Sequence, residues 1–395
     1  MKLKLPKFNL SLQLLVILIG ALLFGSFLPE SLQALLYTIS LNLKNLLLFI
    51  LPAVIFSCLF SCLLTFRGAS AIGFMLILFS IVFVSNYLST LIAYGVGTLD
   101  LLTIDFLKSF NLSQNDELKP LVEIIFPKWI SNDTALIIGF FTGSLFAFYP
   151  NRWADQFSAK AKRFVTLVLE KGFVPILPVF ALGFILKMQY DGILMQIIES
   201  YLPLMLIIVV TYVLYLIFLF GLAAKFKPQQ WLEYLKNIVP VALTGFSTMS
   251  SLATMPVTLN AAEKNTGNVD ISRAVIPATV NVHMVGVAIA VPLMMFAILV
   301  NFGFPFPSFS TYCLFAVYFV LAQFAVAAVP GGGILVMLPL LETHFGFTSE
   351  MSALITALYI LFDPAITITN VLGNSALVIF VAKLFKSLTL KANPA

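Results

Sequence analysis

The residues with chemistry to offer lie in the last third of the chain, inside apolar sequence. Asp363, Thr367, Asn370 and Asn374 are spaced four, three and four apart in the run DPAITITNVLGN. On an α-helix they share one face. An ionised carboxylate in so apolar a setting is expensive, and one kept inside a membrane segment marks a place that handles a charged ligand or ion. A row of four headed by a carboxylate exceeds what a helix–helix contact requires. Asn370 carries two N–H donors and is the candidate partner of a ligand carboxylate. Asp363, desolvated and with no arginine close by in its motif, is also a candidate proton carrier. His283 lies in PATVNVHMVGV, with Asn281 before it and Gly286 after it, a pattern that predicts local unwinding. An imidazole titrates near neutral pH and can carry a proton. It can equally be a hydrogen-bonded packing group, and the sequence leaves both readings open. Ser247, Thr248, Ser250 and Ser251 form a hydroxyl cluster ahead of Pro256. A serine nucleophile needs a base beside it, and no GxSG-type elbow is present. Hydroxyls and helix N-terminal amides that take a carboxylate are the better reading, so no enzyme is expected.

The elements that must position these groups are membrane helices. The chain has 395 residues, 61% hydrophobic and 10% charged, with mean hydropathy +1.04. Soluble domains average about 45–50% apolar and about 25% charged residues. Apolar runs near the ~20 residues that a bilayer requires occur at 12–27, 46–66, 72–95, 134–149, 164–186, 202–223, 275–300, 312–341 and 351–385. The run at 12–27 follows a basic stretch but has no small-residue cleavage site after it, so it reads as the first span. No phosphate-binding loop or dinucleotide fingerprint is present, and the basic residues do not point to nucleic acid. Lys2, Lys4, Lys7, Arg67, Arg152, Lys160, Lys162, Arg163, Lys225, Lys227, Lys236, Lys383, Lys386 and Lys391 flank one set of span ends. Asp100, Asp105, Asp116, Glu117, Glu123, Glu199, Glu342 and Glu350 flank the other. The excess of positive charge places the first set, and both termini, in the cytoplasm of a bacterial inner membrane. Cys58 and Cys62 read as small buried hydrophobes.

Two apolar segments are interrupted. Residues 239–259 carry the hydroxyl cluster and Pro256, and residues 320–341 are broken at Pro330-Gly331-Gly332-Gly333. Bare backbone at membrane depth is tolerated only inside protein or against a polar cavity. A pair of interrupted segments in two structural repeats points to a transporter binding site. Each reads as a re-entrant helical hairpin, over about 228–262 and 310–345, followed by a span with central polar groups. The expected fold is all-α and multi-pass, with about eight transmembrane helices and two re-entrant hairpins in inverted repeats.

These motifs resemble the glutamate transporter-like dicarboxylate/amino acid:cation symporters over nearly the full length. SSLATMPVTLNAAEKN at 250–265 resembles that family's serine-rich hairpin tip followed by TLPVT, and LLLFILPAVIFS at 46–57 its proline-kinked second span. PATVNVHMV at 277–285 stands in the place of GATINMDGT, and AVPGGG at 328–333 resembles the second hairpin tip. DPAITITNVLGN aligns with DxxRTxxNVxGD. The resemblance implies a homotrimer in membrane lipid, working as an elevator-type carrier of a small molecule. Its scaffold would span 1–70 and 98–190, and a moving domain would comprise 71–97 and 191–391. It implies substrate contacts at Ser250, Ser251, Val329, Gly331, Asp363, Thr367 and Asn370, with Asp363 meeting an amino group. Asn86, Ser89 and Thr90 resemble a polar cluster of a sodium site, and Thr279 resembles a sodium ligand.

The departures carry the specific expectations. Ile366 stands where members with acidic substrates place an arginine, and Met249 where some carry one on the first hairpin. His283 and Asn374 replace two sodium-ligand aspartates, and Tyr359 a further carboxylate. The expectation is a secondary transporter of a neutral amino acid. Its sodium coupling is reduced or lost, and protons take over through His283, Asp363, Thr279, Asn281 and Asn374. One Na+ or H+ is the coupling ion, and no other cofactor is expected. The alternatives are a sodium-coupled dicarboxylate or acidic amino acid symporter, and an uncoupled facilitator or anion channel.

Overall fold

The structure, a computed structural model, describes residues 16–17, 19–21, 23–64, 72–103, 118–127, 129–149, 151–173, 176–192, 194–326 and 332–392. The described residues are helical or irregular, with no strand among them. The first helices are α1 (Glu30–Leu64), α2 (Ile72–Thr103), α3 (Asn132–Phe148) and α4 (Arg152–Val165). A π-helical turn, Thr166–Phe173, leads to α5 (Leu177–Tyr190) and α6 (Leu194–Ala223). The remainder comprises α7 (Pro228–Thr248), α8 (Ser251–Thr266), α9 (Val269–Thr279), α10 (Val285–Asn301), α11 (Phe309–Gln323), α12 (Gly332–Phe345) and α13 (Ser349–Ala392). Among the described residues three stretches, Ile77–Leu99, Tyr201–Ala223 and Ser349–Phe385, are long and apolar enough to cross a bilayer. Shorter apolar helices include Ile137–Phe148, Val285–Asn301 and Phe309–Gln323. Pro52 is accommodated within α1, which runs on past it.

The packing falls into two groups. In one, α1 packs against α3, α4 and α5. In the other, α13 packs against α6, α7, α8, α9, α10 and α12, while α2 lies against α10 and α11. Helix α10 is buried along almost its whole length. An isolated apolar helix would face lipid on some side, so this one is a core element of the second group.

Both interrupted segments contain a pair of packed helices. In the first, α7 ends at Met249, which adopts a left-handed backbone (φ 49°). Ser250 then caps α8, its side chain accepting from the Ala253 N–H. The second helix of this pair runs on to Thr266, four residues beyond the expected end, and stops at Gly267 in a left-handed C-cap. In the second pair, α11 and α12 pack together. The connecting tip, with Val329 and Gly331, lies outside the described residues.

The two groups meet at an ionic cluster. Lys44 of α1, 5% exposed, places Nζ 3.0 Å from Glu342 Oε1 of α12 and donates to Ser349 Oγ at 3.0 Å. Lys187 of α5 lies 2.6 Å from Asp191 Oδ2 and 4.0 Å from Glu350 Oε1. The Tyr37 hydroxyl donates to the same Glu350 oxygen at 3.5 Å. Buried charges of this kind require partners, and here each lysine has at least one. A cavity of about 380 Å³ lies beside the cluster, lined by Phe49, Pro52, Phe126, Trp129, Pro339 and Glu342. It is remote from the polar face of α13.

Candidate functional site

The site is built around a broken helix. Residues 280–284 leave the helical path between α9 and α10, as Asn281 and Gly286 predict. A break in apolar surroundings exposes backbone groups that must find partners. Asn86 of α2 supplies two of them. Its Nδ2 donates to the Val282 carbonyl at 2.8 Å, and its Oδ1 accepts from the Met284 N–H at 3.1 Å. One side-chain amide thus pairs with the chain as a neighbouring strand would. Asn370 Oδ1 accepts from the Gly286 N–H at 2.8 Å, and the Tyr212 hydroxyl of α6 donates to the Gly286 carbonyl at 2.7 Å. Asn374 Nδ2 donates to the His283 carbonyl at 3.3 Å and to the Asn370 carbonyl at 3.1 Å. Gly286 cannot be larger: a Cβ there would sit 2.5 Å from the Ile366 carbonyl oxygen.

His283 lies inside this break, fully buried. Its Nε2 is 2.8 Å from Ser85 Oγ of α2. Its Nδ1, together with Asn281 Oδ1 and Asn374 Oδ1, is buried without a partner of good hydrogen-bond geometry. The Asn374 side chain nevertheless interacts with the imidazole. A proton on Nδ1 would be a donor beside the Asn374 side chain. Buried polar atoms left without partners are uncommon, and a cluster of them signals capacity for a ligand, ion or proton.

The row on α13 is as expected. Asp363, Thr367, Asn370 and Asn374 are all buried, as is Ile366. The bond from Gly286 occupies Asn370 Oδ1, so the two Nδ2 donors are what that amide has left to offer. Thr279, also buried, donates its hydroxyl to the Val275 carbonyl within its own helix. Tyr359 reaches the second helical pair: a Cβ on Gly333 would lie 2.3 Å from its hydroxyl oxygen. The first pair packs on α13 through Gly245, which faces Ile368 and Val371. The hydroxyls of Ser250 and Ser251 are half-buried at its tip. Ser250 Oγ is engaged as a cap.

Some contributors were not singled out from the sequence. Ser85 sits one residue before the Asn86 cluster, and its signal is the run of small polar residues on one apolar helix. Tyr212 and Tyr215 of α6 read as aromatic bulk, yet Tyr215 accepts from the Ser89 hydroxyl at 2.9 Å. Lys44 and Lys187 stood at span ends with no indication of a distant acidic partner.

Comparison with known proteins accounts for this arrangement. Residues 10–384 match the sodium:dicarboxylate symporter family. Excitatory amino acid transporter 1 of Rattus norvegicus is 28% identical over 226 residues, which is 56% of this chain and 40% of that protein. An excitatory amino acid transporter of Caenorhabditis elegans is 33% identical over 146 residues, 36% of this chain and 28% of that one. The aligned part is therefore less than half of either relative's length. On a family match that spans nearly the whole sequence, with an all-helical fold and a polar site at a helix break, this chain belongs to the sodium:dicarboxylate symporter family, a family of membrane transporters and not of enzymes.

Proposed function

We propose that this protein is an elevator-type secondary transporter of a neutral amino acid. Its substrate lies between the tips of the two helical pairs and the face formed by Asp363, Thr367 and Asn370. The observation that carries the reading is the polar seam in the apolar bundle, where a helix break is held by Asn86, Asn370 and Asn374 and buried polar atoms remain unpaired. Asp363 takes the substrate's amino group, and Asn370 Nδ2 donates to its carboxylate. A second carboxylate would meet Ile366, which offers no donor and would leave it unpaired, at a cost above the about 2–7 kcal/mol of an unpaired neutral amide or hydroxyl. The four arginines of the chain are Arg67, Arg152, Arg163 and Arg273, and none is on α13.

The coupling ion in this reading is the proton. Sodium is a hard cation that prefers oxygen ligands. At the break this chain offers an imidazole whose Nε2 is engaged with Ser85. Asn281 Oδ1 and Asn374 Oδ1 are acceptors that a protonated Nδ1 of His283 could satisfy. The assembly is a homotrimer in a bacterial inner membrane, with α1, α3, α4 and α5 as the static part and α2 and α6–α13 as the moving part.

A second reading is sodium-coupled uptake of an acidic amino acid or dicarboxylate. It draws on the family's name and on relatives named excitatory amino acid transporters. Proteoliposomes with imposed gradients separate the two. The proposal expects accumulation of neutral amino acids under an inward proton gradient, little competition by aspartate, and counterflow exchange. Strict dependence on a sodium gradient, with micromolar competition by aspartate, establishes the second reading instead. His283→Asp should shift the parent protein toward sodium dependence.

A further inference from the structure

Helix α4 is unlike every other helix described. It begins three residues after Tyr149, where the apolar helix α3 has ended. Its sequence RWADQFSAKAKRFV is strongly two-faced. At 14 residues it is about 20 Å long, too short and too polar to cross a bilayer. One side is seated on α1. Ala154, Ser158 and Ala161 are buried, and Phe157 meets Phe60 edge-on at 5.2 Å.

Next to that buried side, and sharing Phe157 with it, run two adjacent stripes. Trp153, Phe157, Lys160 and Phe164 follow one another at helical spacing. Trp153 is 57% exposed and Phe164 38%. The Trp153 ring is held flat against Phe157, centroids 5.4 Å apart and planes 18° from parallel. Beside this aromatic stripe run Arg152 and Arg163, exposed like Lys160. Over residues 152–173 there are five cations against two carboxylates, Asp155 and Glu170. A helix with exposed tryptophan and phenylalanine bordered by cations, lying at the end of a membrane helix, matches the two layers of a bilayer surface. Its rings suit the acyl boundary and its cations suit the phosphates.

We propose that α4 is a lipid-binding helix. Arg152, Lys160 and Arg163 take the phosphate headgroups of anionic phospholipids, while Trp153 and Phe164 sit in the acyl boundary. The occupant is a bilayer rather than a soluble anion, because exposed rings beside the cations have no role in binding free phosphate. A basic stretch near an anionic surface gains affinity with each cation. Held this way, α4 fixes α1 at a set depth through their shared Phe60 and Phe157 contact.

The test uses the full chain with Trp129→Phe and Trp231→Phe, which leaves Trp153 as the one tryptophan. The protein is placed in nanodiscs doped with brominated phosphatidylglycerol or brominated phosphatidylcholine, and Trp153 fluorescence is read. The proposal expects half-maximal quenching at an about tenfold lower mole fraction of the anionic lipid. It also expects Arg152→Gln/Lys160→Gln/Arg163→Gln to abolish that preference while quenching by both lipids persists. Circular dichroism and thermal unfolding of each variant verify that the fold is retained. Equal quenching by the two lipids in the parent overturns headgroup recognition. A triple variant that keeps the preference overturns the assigned cations. Quenching by neither lipid overturns the bilayer contact and leaves the stripe to water or to a second copy of the chain. The readout requires no transport, so it stands or fails independently of the proposed function.

Discussion

Two regions of this molecule bury polar groups between helices that are distant in sequence, and they do it by opposite means. The helix break at 280–284 is held by neutral amides and hydroxyls from Asn86, Asn370, Asn374 and Tyr212. The contact between α1, α5 and the α12–α13 junction is held by charges, Lys44 with Glu342 and Lys187 with Glu350. Charges demand partners, so the ionic cluster is closed on itself and has little left to give. Neutral dipoles tolerate being left partly unpaired, and at the break His283 Nδ1, Asn281 Oδ1 and Asn374 Oδ1 have no partner of good hydrogen-bond geometry. The difference separates a joint from a site: the joint uses up its polar capacity and the site keeps some in reserve.

The sharpest way to break this comparison is at the carboxylate beside the site. Asp363→Asn should lower uptake about a hundredfold, the factor that corresponds to ~3 kcal/mol for a buried charge pair broken on one side. Radiolabelled uptake in proteoliposomes measures it. Unchanged uptake would place the substrate elsewhere.

Next is the amide that holds the break. Asn86→Leu leaves the Val282 carbonyl and the Met284 N–H buried and unsatisfied, at about 1–3 kcal/mol each. Thermal unfolding in mild detergent should fall accordingly. Asn86→Asp, protonated where no cation is near, keeps an acceptor for Met284 and one O–H donor for Val282, so it should lie between Leu and the parent protein. If Leu and Asp behaved alike, these two bonds would not be what holds the break.

At the ionic joint a smaller loss is expected. Glu342 is a quarter exposed, so water can take over part of Lys44's role. Lys44→Met should cost about 1–2 kcal/mol, below the 3–5 kcal/mol of a fully buried pair. Lys44→Met/Glu342→Gln should cost less than the sum of its parts in a double-mutant cycle. Additive losses would show that the pair is not coupled.

The smallest effect belongs to the approach of the second helical pair. Gly333→Ala places a methyl against the Tyr359 hydroxyl. That oxygen is the tip of a side chain that can shift, so the cost should stay below about 1 kcal/mol. Tyr359→Phe in the same chain should recover it, as read by unfolding midpoint. A large loss that Tyr359→Phe fails to relieve would mean that α12 cannot move here.

How much of this was readable in the letters follows the same division. The face of Asp363, Thr367, Asn370 and Asn374 was legible because helical spacing fixes it locally. The break near His283 was legible because Asn281 and Gly286 mark it within six residues. The first hairpin was legible from its hydroxyls and Pro256, though its second helix outruns the expected end because Gly267, and not the last apolar residue, stops it. The ionic joint was not legible. A lysine near a span end looks the same whether it meets water or a glutamate some three hundred residues away, and only the fold brings Lys44 to Glu342. Tyr212 escaped for a related reason, since nothing local distinguishes a phenol that holds a distant carbonyl from one that merely packs.

Gly286 has one consequence for motion. Its N–H is held by α13 through Asn370, its carbonyl by α6 through Tyr212, and its Cα has no room for a side chain against Ile366. Three helices are thereby fastened at a single residue, and none can slide without releasing the others. Deuterium exchange at the Gly286 amide should be among the slowest in the chain and should report concerted opening of all three helices. Exchange there should follow global unfolding rather than faster local fluctuations.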